Sequence, residues 1–304
     1  MALTSIIIPT HDRPELLSRS VESARLAGRE IEIVVVDDGS TDDTSAVCAS
    51  FPDIVYVRLD ERRGVGYARA AGIAASSGEY ISFLDDDDAR LPGSIDRQLA
   101  ILEAAPDAAL VYGQIYRAAQ NLEIDERRIF PRVCPDGDLF WKLIDNSFIP
   151  TCSVVIRRSA LDAVGGLFHE AAPADDWDLW LRLAERYPIA ALPEPVSVYR
   201  QPTFWSKQGS SRVVDGLLFA DLRVLERCAK LPRALADPQQ FRRAARRVRG
   251  VLCLRLLAET VVAARRGDSY AFVSFRHAVA TRDAFVHAIL APNTWKKLRE
   301  RFRL

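Results

Sequence analysis

The chain has 304 residues, 49% of them apolar and 27% charged, and a formal net charge of zero. Such a length buries a large core and accommodates one big domain plus an extension, with ordinary globular composition. Five scattered cysteines (Cys48, Cys134, Cys152, Cys228, Cys253) form no CxxC pair, so neither a disulfide framework nor a zinc site is suggested, and reduced thiols in a cytoplasmic protein are expected. The opening "MALTSIIIPTHDRPELL" lacks the basic region of a signal peptide, and no run nears the ~18 apolar residues of a membrane span.

Strand signals alternate with helix signals over the first 120 residues. Strands are expected at 5–10 ("SIIIPT"), 31–38 ("IEIVVVDD"), 54–59, 80–84 ("YISFL") and 109–116, with helices at 14–27, 42–50, 65–76 and 92–104. Continuous apolar strands separated by helices predict a parallel sheet covered on both faces, whose ligands bind at the carboxyl ends of the strands. Three strand ends carry unusual residues: Pro9-Thr10-His11-Asp12-Arg13, Asp37-Asp38-Gly39-Ser40 and Asp85-Asp86-Asp87-Asp88. A parallel arrangement gathers them at one edge. A further strand is expected at 152–157 and a helix from about Asp176, in which Trp177, Trp180, Leu181 and Ala184 form the apolar stripe and Asp178, Arg182 and Glu185 face solvent.

Beyond about 205 strand signals largely stop, and 239–267 and 270–290 read as helices. The charge divides there too: residues 1–200 hold 20 Lys and Arg against 33 Asp and Glu, and residues 201–304 hold 21 against 8. A catalytic domain at 1–205 and a helical C-terminal region at 206–304 are therefore expected. The basic region reads either as a solvated helical subdomain or as a surface that approaches anionic lipid or an anionic acceptor. No nucleic-acid module accompanies it, so nucleic acid is not an expected partner.

The acidic run Asp85–Asp88 has three readings. It could be a solvated loop before a helix N-terminus, a Ca²⁺ loop, or the protein share of a divalent-cation site completed by substrate phosphates. The EF-hand spacing is absent, and delivery of the run to the ligand edge beside Asp38 favours the last. In "VVVDDGSTDDT" a turn and a helix cap explain Gly39 to Thr41. They do not explain Asp37-Asp38, where a carboxylate could accept a nucleobase N–H. Asp175 or Asp176 alone would read as a helix N-cap, and Gly165-Gly166 as a helix C-cap.

Five strings in order, "SIIIPTHDR", "VVVDDGSTDDT", "RRGVGYARAAGIAASSGEYISFLDDDDARLPGSIDRQL", "SVVIRRSALDAVGGLF" and "ADDWDLWLRLAERYP", resemble family 2 glycosyltransferases of the GT-A fold over about residues 3–200. The resemblance implies a Rossmann-like α/β domain with a mostly parallel sheet flanked by helices. It implies inverting transfer of a sugar from a nucleotide-diphospho-sugar, most simply a UDP-sugar, to a hydroxyl of a glycan, lipid-linked or small-molecule acceptor. Surface polysaccharide or glycoconjugate assembly at the inner face of the membrane is the implied setting.

Residue by residue, the resemblance implies that Asp38 reads the base and that Pro9, Thr10, His11 and Arg13 belong to the donor pocket. His11 and Asp12 stand where Tyr and Asn are commoner. Arg69 would lie near the diphosphate or base. Asp85, Asp86 and Asp87 occupy the DxD position, with Asp87 on Mn²⁺ or Mg²⁺ and Asp85 or Asp86 toward ribose or sugar. Asp176 corresponds to the general base of an "ED" pair, with Asp175 in place of the commoner Glu. Many relatives carry a metal-binding His after the Tyr-Arg pair, where this chain has Gln201, and no His lies between 170 and 276. His169 reads as a loop residue. A sugar nucleotidyltransferase or an inactive nucleotide- or glycan-binding relative are the alternatives. The first usually has a Gly-rich loop after strand 1, and "IIIPTHDRPELL" has no glycine.

Overall fold

The computed structural model describes residues 3–119, 121–167, 169–200 and 214–250. Two compact units divide them, one within Met1–Phe140 and Phe148–Ser211, the other within Trp141–Ser147 and Arg212–Leu304.

In the first unit β1 (Thr4–Thr10), β2 (Ile31–Asp37), β3 (Ile54–Arg58) and β4 (Tyr80–Phe83) run parallel, in the order β3-β2-β1-β4. Every residue of β1 and β4 is buried, which is why these strands read as unbroken apolar runs. The connections are α1 (Pro14–Arg25), α2 (Thr44–Ala49) and α3 (Val65–Ala75). Pro14 at the first turn suits the start of α1, and Leu17, Val21 and Ala24 bury its apolar stripe. In α3, Gly72 permits close approach to the sheet, since a Cβ there would meet the Cγ2 atoms of Ile7 and Val36. Gly72→Ala should lower unfolding stability by ~1–3 kcal/mol in a urea titration.

The sheet continues as β4-β8-β6-β9-β5, with α4 (Ser94–Ala104) leading into β6 (Leu110–Ala118), and with β8 (Val154–Arg157), β9 (Ile189–Arg200) and β5 (Ala89–Arg90). The parallel order expected from the alternation of strands and helices holds for β1 to β4 and gives way to mixed pairing beyond β4. β8 lies antiparallel between β4 and β6, so residues 109–116 are not neighbours of residues 80–84. β7 (Ile129–Phe130) also pairs antiparallel with β6. The sheet is mixed, with a parallel half that carries the three unusual strand ends.

β9 was not expected. Pro193 and Pro195 interrupt its apolar pattern, yet they fall where the β6–β9 register shifts: Pro195 stands opposite Gln114, and Pro193 lies between Pro195 and Leu192, the partner of Gly113. A bulge tolerates prolines that a regular ladder does not. Between the strands lie α6 (Arg158–Ala163) and α7 (Asp175–Arg186). Gly165 and Gly166, at φ +84° and +74°, end α6 by donating to the carbonyls of Asp162 and Leu161, as a glycine C-cap does.

The second unit contains most of α5 (Phe140–Asp145), α8 (Val214–Cys228), α9 (Pro232–Ala236) and a helical stretch at 238–250. Arg247 there makes a bidentate pair with Asp145. The rest of the expected helix at 239–267, and all of that at 270–290, lie outside the described residues. No helix among the described residues is long and apolar enough to cross a membrane.

Candidate active site

The carboxyl ends of β1, β2 and β4 converge. Thr10, at the end of β1, donates its hydroxyl to Asp86 Oδ2 at 2.8 Å, and its carbonyl accepts the Asp38 N–H at 2.9 Å. Arg13 Nη1 lies 3.0 Å from Asp86 Oδ1 and 3.4 Å from Asp87 Oδ2. Pro9 is buried inside β1, in register with Val36 of β2. His11 is half-buried and lies 3.3 Å from Asp12. Asp12 adopts the left-handed conformation at φ 50°, which Asp tolerates better than most residues. Its Oδ1 accepts the Thr41 N–H at 2.8 Å, joining the loops after β1 and β2 and holding its carboxyl below the usual range.

The two aspartates after β2 have separate partners. Asp37 is fully buried and accepts from the Ser40 N–H, the Tyr56 hydroxyl and Arg58. Asp38 accepts the N–H groups of Arg63 (2.6 Å) and Gly64 (2.8 Å), one on each oxygen. A carboxylate oxygen carries two acceptor positions, so each keeps one more.

The acidic run is unevenly exposed. Asp86, Asp87 and Asp88 are buried, while Asp85 is the more open at 36% of its side chain. Burial, reinforced by Asp87 and Asp85, pushes Asp86 up to about 7 against the pull of Arg13 and Thr10. Asp88 has a partner of its own: its Oδ1 accepts the Arg200 N–H at the end of β9 at 2.9 Å. Burial raises its carboxyl well above the usual range. Nothing in a string of four aspartates singled out this one as the tie to β9.

Arg69, on α3 and almost fully buried, bridges the run to the start of α7. Its Nη2 contacts Asp85 Oδ1 at 2.7 Å and its Nη1 contacts Asp175 Oδ2 at 2.9 Å. Asp175 is fully buried. Two carboxylates share one guanidinium, and the arginine is held firmly protonated against the effect of its own burial.

Asp176 follows directly. The N-cap of α7 is Ala174, so neither Asp175 nor Asp176 caps the helix. Asp176 Oδ1 instead accepts the Trp177 N–H at 2.6 Å, and Oδ2 accepts the Thr151 hydroxyl at 2.5 Å. Burial and the adjacent Asp175 push its carboxyl up to about 6, against the pull of Thr151 and Arg69. The sequence carried no signal for Thr151, 25 residues away. Asp178, expected on the solvent face of α7, is buried and pairs with Arg182 at 2.8 Å. Helical periodicity put it opposite the tryptophans, but α7 is covered on that side too. The side chain of His169, and Gln201, lie outside the described residues.

Among the described residues no three His, Cys, Asp and Glu side chains converge as ligands of one metal ion. The hard oxygen donors present, with Arg13 already neutralising part of their charge, suit an ion that takes most of its ligands from phosphate and water.

The family model "Glycosyl transferase family 2" matches residues 5–165. The chain belongs to this family. A Rickettsia felis protein named as an uncharacterized glycosyltransferase is 32% identical over 219 residues, covering 69% of this chain and 36% of that protein. The succinoglycan biosynthesis protein ExoU of Rhizobium meliloti is 30% identical over 230 residues, covering 69% of this chain and 65% of that one. The chain therefore spans between about a third and two thirds of the length of these curated relatives.

Among solved structures, this family 2 member resembles S. aureus TarS in complex with UDP-GlcNAc. That match has a TM-score of 0.63 and 18% identity, and covers 76% of this chain and 67% of that one. It also resembles the mannosyltransferase PcManGT of Pyrobaculum calidifontis in complex with GDP-Man and Mn²⁺. Here the TM-score is 0.57 and the identity 18%, over 97% of this chain and 87% of that one. At these identities the likeness is one of fold, the GT-A arrangement of a curled, mostly parallel sheet flanked by helices.

Proposed function

We propose that the chain is an inverting glycosyltransferase that moves a sugar from a nucleotide-diphospho-sugar to a hydroxyl acceptor in polysaccharide or glycoconjugate assembly. The observation that carries this reading is the shared guanidinium of Arg69, which ties the acidic run at Asp85 to Asp175, next to Asp176. Groups suited to a diphosphate leaving group and a group suited to an acceptor proton thus adjoin across one arginine. Relatives named for succinoglycan biosynthesis, and fold neighbours holding UDP-GlcNAc and GDP-Man, support the substrate class.

In this reading Asp38 offers its remaining acceptor positions to a base N–H, with uracil the simplest partner, and Pro9, Thr10 and His11 line the nucleoside side. Arg13 holds Asp86 and Asp87 together in the absence of donor. Asp87 is the protein ligand of Mn²⁺ or Mg²⁺, and Asp85 and Asp86 orient ribose or sugar. A divalent ion bound there would neutralise the departing diphosphate. Asp176 takes the proton of the acceptor hydroxyl as that oxygen attacks the anomeric carbon from the face opposite the diphosphate. A single displacement inverts that centre, and no nucleophilic carboxylate is needed. Arg69 keeps the donor and acceptor sides in register.

Incubation with a panel of nucleotide-diphospho-sugars and Mn²⁺ should release nucleoside diphosphate, slowly to water and faster with a hydroxyl acceptor. Consumption of nucleoside triphosphate with pyrophosphate release would instead mark a sugar nucleotidyltransferase.

Contact with an anionic membrane surface is proposed for the basic C-terminal region. Arg242, Arg243, Arg246 and Arg249 are all exposed on the helical stretch at 238–250, which supports it. Co-sedimentation with phosphatidylserine-containing vesicles should occur at low salt and fall as salt screens the attraction. Absence of binding at every salt concentration returns the region to a solvated subdomain.

A further inference from the structure

Both oxygens of Asp176 are occupied by donors from different parts of the chain. The Trp177 N–H belongs to α7 itself, whereas Thr151 sits on the turn Thr151–Ser153 that precedes β8. A threonine has a single O–H to give, and this one goes to Asp176. Asp175, one residue earlier, holds Arg69. The charged groups facing Asp176 are therefore Asp175 and Arg69, with Asp85 beyond Arg69, while Glu170 on the preceding turn is exposed.

We infer that Thr151 and Asp175 are opposed positioning residues for Asp176: Thr151 fixes the carboxylate and favours its charged form, and Asp175 anchors Arg69 and favours the protonated form. The inference rests on the proposed role of Asp176 as general base and deepens it. A donor to the charged form lowers a carboxyl pKa, and an adjacent negative charge raises it. Arg69 offsets part of that negative charge, with its Nη atoms directed to Asp85 and Asp175. Burial raises the carboxyl most, Asp175 adds to it, and the opposing pull of Thr151 and Arg69 leaves Asp176 at about 6, well above an ordinary aspartate and close to the range in which a general base works best. The same hydrogen bond aims the group, because a carboxylate with each oxygen held by a separate element keeps one rotamer.

The test is a carbon-13 NMR titration of protein labelled at aspartate Cγ, with the Asp176 resonance assigned by its loss in Asp176→Asn. Thr151→Val, nearly the same shape without the hydroxyl, should raise the Asp176 midpoint by about one pH unit, the size of a lost charge-assisted hydrogen bond. Thr151→Ser keeps the donor and should titrate as wild type. Asp175→Asn should lower the midpoint. A Thr151→Val midpoint equal to wild type overturns the inference, whether or not Asp175→Asn folds. An unmoved or raised midpoint in folded Asp175→Asn overturns its second half. Turnover that survives Asp176→Asn removes the base assignment but leaves these midpoints as they are. Unmoved midpoints beside an inactive Asp176→Asn overturn this inference alone.

Discussion

Asp176→Asn is expected to lower turnover by about 10²-fold or more, the usual cost of losing a general base, while donor binding stays near wild type. Asparagine keeps the shape, its Oδ1 can still accept from Trp177 and its Nδ2 can donate to the Thr151 hydroxyl oxygen, but it cannot take a proton. Asp178 is unsuitable as a comparison, because it is buried and ion-paired to Arg182. The exposed Asp162 serves instead, and Asp162→Asn should be nearly silent. Wild-type turnover should fall on the acidic side with a midpoint near pH 6, as Asp176 becomes protonated. The folded-state pKa lies above the ordinary value of ~3.9, so the folded protein binds this proton more tightly than the unfolded chain. The Asp176 contribution to stability is therefore most favourable below pH ~4 and is lost as pH rises to about 6. Asp176→Asn should flatten that part of the stability profile. Full activity in Asp176→Asn would return this residue to a purely structural role.

Asp87→Ala is expected to weaken binding of UDP in the presence of Mn²⁺ far more than binding of UDP alone. The mutation removes the proposed protein ligand and leaves Arg13 paired with Asp86. Isothermal titration with and without Mn²⁺ measures the difference directly. Equal affinity of mutant and wild type in Mn²⁺ would remove Asp87 from the metal site.

The acidic strand ends were legible in the sequence because a buried strand gives its terminal residues only one place to go. Asp38 and Asp85–Asp88 follow β2 and β4, and parallel pairing to β1 brings both ends together. What lay beyond local pattern was pairing. The strand at 152–157 was visible, but not its antiparallel insertion between β4 and β6, since apolar runs do not name their neighbours. β9 was hidden by two prolines that only a bulge could accommodate. Asp178 read as solvent-facing because periodicity identifies one apolar face and is silent about a helix covered on two. The Thr151–Asp176 contact and the Arg69 bridge are long-range, and no spacing rule brings positions 151 and 176, or 69 and 175, together.

Melting temperature measured with UDP, with Mn²⁺ and with both tests the nucleotide-sugar reading most directly. A ligand that binds the folded state alone stabilises it by an amount set by its concentration relative to Kd. UDP and Mn²⁺ together should raise the melting temperature beyond the sum of their separate effects, because each completes the other's site. No rise with UDP or any other nucleoside diphosphate, with or without Mn²⁺, would contradict a nucleotide-diphospho-sugar donor at the edge formed by Asp38, Asp87 and Asp176.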